Sequence, residues 1–315
     1  MSGNGKKVGI VGSGLIGRSW AMLFAGAGYQ VRLFDVVASQ IPSALEDIKG
    51  QLERLSASGL LRGTLSAQQQ MELITGASEL SDCVSGAVHV QECIPESVEL
   101  KQKMFEQLDA LVDGTTVMCS STSCIAASKF TQNLKHRSRC LVAHPVNPPY
   151  YVPLVELIPA PWTDPEAVTQ TRQLMIEIGQ SPISLNKEMP GFALNRIQYA
   201  ILNECWYLVS EGVLSAEDID TVMKDGLGPR YAFMGPLETA HLNAEGMLNY
   251  CERYGSTIEG VSKTLGPIPH WGGAQAEEIH RQLTAMVPLE KLQERRAWRD
   301  ARLTALAKLK KDADK

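Results

Sequence analysis

Six residues near the start of the chain, Gly12-Ser13-Gly14-Leu15-Ile16-Gly17, constrain the fold more than any other stretch. They follow a short apolar run, KVGIV, and lead into RSWAMLFAGAG, whose apolar residues recur at helical spacing until Gly28. YQVRLFD then alternates as a strand and ends on Asp35, 18 residues past Gly17. A glycine-punctuated turn between strand and helix, with an acid closing the second strand, points to a βαβ unit that binds a dinucleotide. Gly12 permits the tight turn, Gly14 lets the backbone approach a pyrophosphate, and Gly17 lets the helix pack close to the strand. The helix start, at Leu15 and Ile16, offers N–H donors and a positive dipole to the phosphates. Asp35 suits the adenosine ribose hydroxyls and repels a 2′-phosphate, so NAD is expected over NADP. The alternative, a glycine-rich turn beside a loop-capping aspartate, is the weaker reading in this full context.

The rest of the first half keeps the α/β alternation. A polar helical region runs from about Ala38 to Leu73, broken at SASGLLRG. AVHVQE, ELKQKMFEQLDALV, TTVMCSS, SRCLVAHPV, PLVELI, PEAVTQTRQLMIEIG and SPISLN then alternate between strand and helix character. This pattern predicts a Rossmann-type doubly wound sheet. From Pro190 the pattern is helical throughout, with Ser215 to Asp218 as a capping box and Gly226 as a helix stop. The boundary is expected at KEMPG, dividing an NAD-binding domain, 1–188, from an all-helical C-terminal domain, 189–315. Long apolar helical faces in the second domain suggest a homodimer.

Bulk properties exclude several classes. The net charge of −5 gives no basic field for nucleic acid. No apolar run reaches the ~18–20 residues of a membrane span. The seven cysteines are odd in number, scattered and without metal-ligand spacing, which favours reduced thiols, no metal site and a cytoplasmic location. The polar N-terminal tail lacks a signal-peptide core, and KKDADK is not a peroxisomal address.

Hydride transfer from an alcohol to a nicotinamide needs a base, and histidine suits the task. Of six histidines, His144 alone follows an apolar strand, CLVA, and so sits at a strand's carboxyl end; His241 remains a second candidate. Twelve positions on, within AHPVNPPYYVPLVEL, Glu156 lies among Leu154, Val155, Leu157 and Ile158. A chain that runs out along one strand and back along its neighbour brings the two side by side. Glu156 could then orient the imidazole and stabilise its charged form; a structural buried pair is the alternative. SSTSC follows the strand TTVM, where its hydroxyls either bind a substrate oxygen or make a serine-rich turn. Asn195, early in the first helix of the second domain, is a possible donor or acceptor. From pattern alone, Glu96 and Lys101 read as a loop acid and a surface lysine.

Together, GSGLIG, STS, the His-to-Glu spacing with N-P between, and P-G-F-x-x-N-R-I resemble the 3-hydroxyacyl-CoA dehydrogenase family over nearly the whole chain. The resemblance implies a Rossmann domain, a dimerising helical domain and NAD. It makes His144 the base, Glu156 its orienting acid, Ser123 the active-site serine, and Asn195 the contact to base and substrate. It also brings Glu96 and Lys101 to the nicotinamide half of NAD. GSGLIGRSWAMLFA, GLGPRYAFMGPLET and HLNAEGML are closer to a branch of the family that oxidises L-gulonate to 3-dehydro-L-gulonate as a cytosolic homodimer, with a lens structural role in some animals. Departures from the acyl-CoA enzymes agree. PYYVP puts Tyr150 and Tyr151 where an acyl chain lies, GPRYAFMGP brings in Arg230 for a substrate carboxylate, and only Lys49, Arg54 and Arg62 are basic in 38–73. A surface role for Arg230 stays open. The readings carried forward are a sugar-acid dehydrogenase, a 3-hydroxyacyl-CoA dehydrogenase, and a structural NAD-binding protein of crystallin type.

Overall fold

The structure, a computed structural model, describes residues 5–313. The first four residues of the polar N-terminal tail and the last two of KKDADK lie outside the described residues. The chain forms two compact units, Met1–Arg196 and Ile197–Lys315.

The first unit is built on one eight-stranded sheet: β1 (Lys7–Val11), β2 (Gln30–Phe34), β3 (Ile74–Gly76), β4 (Ala87–Glu92), β5 (Val117–Ser120), β6 (Cys140–Pro145), β7 (Leu154–Pro159) and β8 (Ser181–Ser184). Their spatial order is β3-β2-β1-β4-β5-β6-β7-β8. The chain therefore builds outward from β1 to one edge and restarts at β4, so the strand order reverses beside β1. Such a switch point is where open α/β sheets bind ligands, beyond the carboxyl ends of the strands. β1 to β6 run parallel, whereas β7 is antiparallel to β6 and β8 follows β7. The β6–β7 register pairs His144 directly with Glu156.

Side chains alternate across the sheet with period two. Val8, Ile10, Cys119, Leu141 and Ala143 face one apolar core, with Trp20, Phe24 and Ile48. Val11, Met118, Cys140 and Val142 face the other, with Phe105 and Phe130. Helices cover both faces: α1 (Leu15–Gly26), α2 (Gln40–Ala57), α3 (Ala67–Glu72), α4 (Leu80–Val84), α5 (Val98–Leu111), α6 (Ser128–Thr131) and α7 (Pro165–Glu177). The sheet is the Rossmann-type arrangement expected from the sequence. The three-residue edge strand β3 and the one-turn helix α4 were not expected there, because segments so short carry no periodicity.

Helix α8 (Leu194–Ser210) is followed in the second unit by α9 (Ala216–Thr221), α10 (Gly228–Tyr231), α11 (Pro236–Leu242), α12 (Met247–Ser262), α13 (Gly273–Met286) and α14 (Leu292–Ala313). Ser215 caps α9 as expected, accepting from the Asp218 N–H at 3.1 Å. Gly226 is not a stop. A wide π-type turn over Val222–Leu227 carries the helical path through it into α10. Both large apolar cores belong to the first unit. In the second, Leu237, Leu242, Leu248 and Ile268 are exposed, and among its described residues only Val209, Ala216 and Thr239 are buried.

Candidate active site

The glycine turn is shaped by contacts that only glycine allows. Gly12 has φ +107°, and a Cβ there would meet the Cys93 carbonyl oxygen at 2.7 Å. The loops after β1 and β4, on either side of the switch point, therefore touch. A Cβ at Gly17 would stand 1.9 Å from the Gly12 carbonyl oxygen, which is how α1 comes so close to the turn. Gly14 is different: a Cβ there would meet nothing within 4 Å. The fold does not need glycine at that point, whereas a pyrophosphate laid against the backbone would. Leu15, exposed, and Ile16, half-buried, open α1, whose N-cap is Gly14 and which has no side-chain cap. Its first N–H groups thus have no side-chain rival for a phosphate.

Asp35 closes the crevice at the end of β2. Its Oδ2 accepts from the Ser13 backbone N–H at 2.8 Å and the Ser13 hydroxyl at 2.7 Å, and its Oδ1 from the Val37 N–H at 3.0 Å. Partial burial pushes this carboxyl up, but the Val37 and Ser13 donors outweigh it and hold it below the usual aspartate range. Asp35 is thus an ionised acceptor, as ribose hydroxyls require. The residues present fit NAD.

On β6 and β7 the carboxylate in the apolar strand finds its partners. Glu156 is fully buried, and its Oε2 lies 2.9 Å from Nδ1 of His144. Its Oε1 accepts from the backbone N–H groups of Ala193 and Leu194, each at 2.9 Å, at the start of α8. The positive end of that helix adds to the stabilisation. Burial pushes Glu156 up, yet the hydrogen bonds from His144, Leu194 and Ala193 together hold it below the usual glutamate range. An ionised carboxylate only accepts, so the proton of the imidazole sits on Nδ1 and Nε2 keeps its lone pair. Phe192 packs on the imidazole with ring centroids 5.7 Å apart. It does so at φ +52°, a left-handed conformation costing about 1 kcal/mol, fixed by complete burial.

A second network holds the serine loop. Glu96 Oε1 accepts from the Thr122 hydroxyl at 2.5 Å and from the backbone N–H groups of Ser123 and Cys124 at 3.0 and 3.1 Å. The Ser123 hydroxyl stands 3.4 Å from the same oxygen. Lys101 lies below, its ammonium 4.0 Å from Glu96 and bonded to both oxygens of Glu92 at 2.9 and 3.0 Å. Glu92 also accepts from the Ser120 hydroxyl at 2.5 Å; burial raises its pKa against the opposing pull of Lys101 and Ser120. On the other side, Nδ2 of Asn195 donates to the Ser123 carbonyl at 2.9 Å. Asn195 shares the first turn of α8 with Leu194, so one helix start touches both Glu156 and the serine loop. The structure thus joins Ser123, Asn195, Glu96 and Lys101 in one network and His144 and Glu156 in another, and the backbone at the start of α8 connects the two.

Two expected positions need correction. Lys101 is not the surface lysine that pattern alone suggests; it is buried against Glu92, with Glu96 4.0 Å from its ammonium. The hydroxyl of Tyr150 does not face open space: it accepts from the Arg62 N–H at 2.9 Å, and its ring lies in the core beneath the Arg62 guanidinium. Tyr151 is half-buried and packs edge-on against Tyr150. Arg230 lies in α10 of the second unit and is exposed. The sequence reading gave no role to Glu188, whose Oε1 accepts from the Ser128 N–H at 2.8 Å and ties the 187–191 segment to α6. An acid two residues before Pro190-Gly191 was the available signal.

Residues 7–189 match the model of the 3-hydroxyacyl-CoA dehydrogenase NAD-binding domain, and residues 191–281 that of the C-terminal domain. A lambda-crystallin homolog from Bos taurus is 56% identical over 305 residues, covering 96% of this chain and 95% of that protein. Lambda-crystallin from Oryctolagus cuniculus is 54% identical over 304 residues, covering 96% and 95%. Among solved structures, a 5-formyl-3-hydroxy-2-methylpyridine 4-carboxylic acid 5-dehydrogenase, an NAD+-dependent dismutase, aligns with a TM-score of 0.80. It is 26% identical, and the alignment covers 98% of this chain and 99% of that one.

Proposed function

The chain belongs to the 3-hydroxyacyl-CoA dehydrogenase family, and we propose that it oxidises L-gulonate to 3-dehydro-L-gulonate with His144 as general base. The observation that carries the chemistry is the His144–Glu156 bond, which leaves Nε2 of a nearly buried imidazole as a base beside an ionised carboxylate. Sugar acid is favoured over acyl-CoA by the branch that the sequence most resembles and by the scarcity of basic residues over 38–73, where a CoA phosphate would need them.

Gly12, Gly14, Leu15, Ile16, Gly17 and Asp35 would hold NAD, which would supply the hydride acceptor for the substrate C3. Nε2 of His144 takes the C3 hydroxyl proton as the C3–O bond becomes a carbonyl. Glu156 stabilises the imidazolium that forms. Its second oxygen is anchored on α8, so the pair keeps its geometry through the transfer. Ser123 and Asn195 hold the reacting oxygen, and Glu96, backed by Lys101, fixes the loop that carries Ser123. Tyr151 is the candidate for the polyol of the substrate, and Arg230 the candidate for its carboxylate.

The apolar helical faces of the second unit are the basis for a homodimer, since its described residues bury too little to stabilise it alone. A cytoplasmic setting accords with the seven free cysteines. Among the described residues, no helix is long and apolar enough to cross a membrane.

Steady-state NADH formation with L-gulonate and with 3-hydroxybutyryl-CoA tests the substrate assignment. The expected result is a kcat/KM at least tenfold higher for L-gulonate; the reverse order makes the chain an acyl-CoA enzyme. No turnover with either would leave the crystallin-type structural reading.

A further inference from the structure

Position 13 in the glycine turn carries a side chain that the turn itself does not need. Glycine or alanine would keep the backbone path and the N–H that Ser13 donates to Asp35. Ser13 instead presents a hydroxyl that is fully buried and lies 2.7 Å from Oδ2 of Asp35, the same oxygen that accepts its N–H at 2.8 Å. The Ser13 carbonyl is held in turn by Nε of Arg18 at 2.8 Å, and Arg18 is braced by Asp47 at 3.0 Å. The donor is therefore rigid. Asp35 stands at a strand end, half-exposed, where an unrestrained carboxylate would sample several rotamers. Two donors converging on one oxygen select one rotamer and leave Oδ1 with a single protein donor, Val37 N–H. A carboxylate oxygen has room for a second.

We propose that the Ser13 hydroxyl is a positioning residue for cofactor choice: it locks Asp35 as an oriented anion whose Oδ1 faces the ribose. Ser13 does not itself touch the cofactor. It acts through Asp35, preserving one geometry in which ribose hydroxyls are accepted and a 2′-phosphate meets a fixed negative charge. The inference rests on the assignment of Asp35 to the ribose.

Equilibrium binding of NAD+ and NADP+ to the full chain by calorimetry tests it. Ser13→Ala and Ser13→Gly both keep the N–H and remove the hydroxyl, so both should weaken NAD+ binding. Each should also narrow the NADP+/NAD+ Kd ratio by about tenfold, the scale of one charge-assisted hydrogen bond. In steady state, KM for NAD+ should rise more than kcat falls. In the free protein, the Asp35 carboxyl should titrate at higher pH in Ser13→Ala, followed by carbon-detected NMR. Asp35→Asn alone should collapse the ratio, and adding Ser13→Ala to it should change nothing further. A ratio that is unchanged in both Ser13 variants overturns the proposal, as does an additive effect in the Asp35→Asn background. If Asp35→Asn itself leaves the ratio intact, the ribose assignment of Asp35 fails first and takes the proposal with it.

Discussion

Glu156→Gln separates what the buried carboxylate does for the fold from what it does for the reaction. Glutamine has the same shape, and its carbonyl oxygen can still accept from the N–H groups of Ala193 and Leu194, so the start of α8 stays pinned. The change falls on the other contact, 2.9 Å from Nδ1 of His144. There an acceptor becomes an NH2 donor, and Nδ1 must shed its proton to receive it. The proton then sits on Nε2, where the base is needed, and the imidazolium has lost its counter-charge. The stability cost is one charge-assisted hydrogen bond, about 1.5–3 kcal/mol. The catalytic cost is the general-base contribution, a fall in kcat of about 10²–10⁴-fold. Urea unfolding measures the first, and NADH formation at saturating substrate and cofactor the second. Glu156→Ala should lose more stability, because two N–H groups lose their acceptor, with a similar fall in kcat. If Glu156→Gln stays folded and keeps kcat within threefold of the parent, the pair is structural and His144 is not oriented by it.

Three further outcomes follow from individual contacts. Gly17→Ala should destabilise the first unit, because its Cβ would stand 1.9 Å from a backbone oxygen; Gly14→Ala should leave unfolding unchanged but weaken NAD+ binding at least tenfold by calorimetry. His89 is fully buried, and burial lowers its pKa to about 4 despite the Gln91 hydrogen bond, so it stays neutral in the fold while the unfolded chain protonates near 6.5. Its contribution is present above pH 6.5 and lost as pH falls towards 4, on the order of 3 kcal/mol; His89→Gln should flatten that acid limb in pH-dependent urea unfolding. Tyr150→Phe leaves the Arg62 N–H without its acceptor and should cost about 1–3 kcal/mol, with the KM for L-gulonate unchanged. A raised KM would return the hydroxyl to the substrate.

What was legible in the sequence depended on how local its cause was. The βαβ unit could be read because turn, helix spacing and strand-end acid lie within one short stretch. The pairing of His144 with Glu156 followed from two apolar strands joined by a proline-stiffened turn, which sets a register. The second anchor of Glu156 was not legible: nothing near KEMPGFALN says that its helix start faces β7. The burial of Lys101 was not legible from pattern alone, because a lysine on a helix after a loop reads as solvated until Glu92, nine residues earlier, is known to point inward. Gly226 failed as a stop because helix signals are local, and a π-type turn absorbs a glycine without ending the helical path.

The connections also argue against treating the cofactor turn and the catalytic pair as separate designs. The loops after β1 and β4 meet at Gly12 and Cys93, and the β4 loop carries Glu96, which holds the loop after β5. That loop is tied through Asn195 to the helix start that anchors Glu156, and Glu156 orients His144. Each link is a hydrogen bond or a contact too close for any residue but glycine. A displacement of the serine loop should therefore move the base as well as the substrate oxygen. Glu96→Gln, which weakens the hold on that loop without touching His144, is expected to lower kcat more than it raises the KM for NAD+. An effect confined to KM would show that the links are independent braces and not one frame.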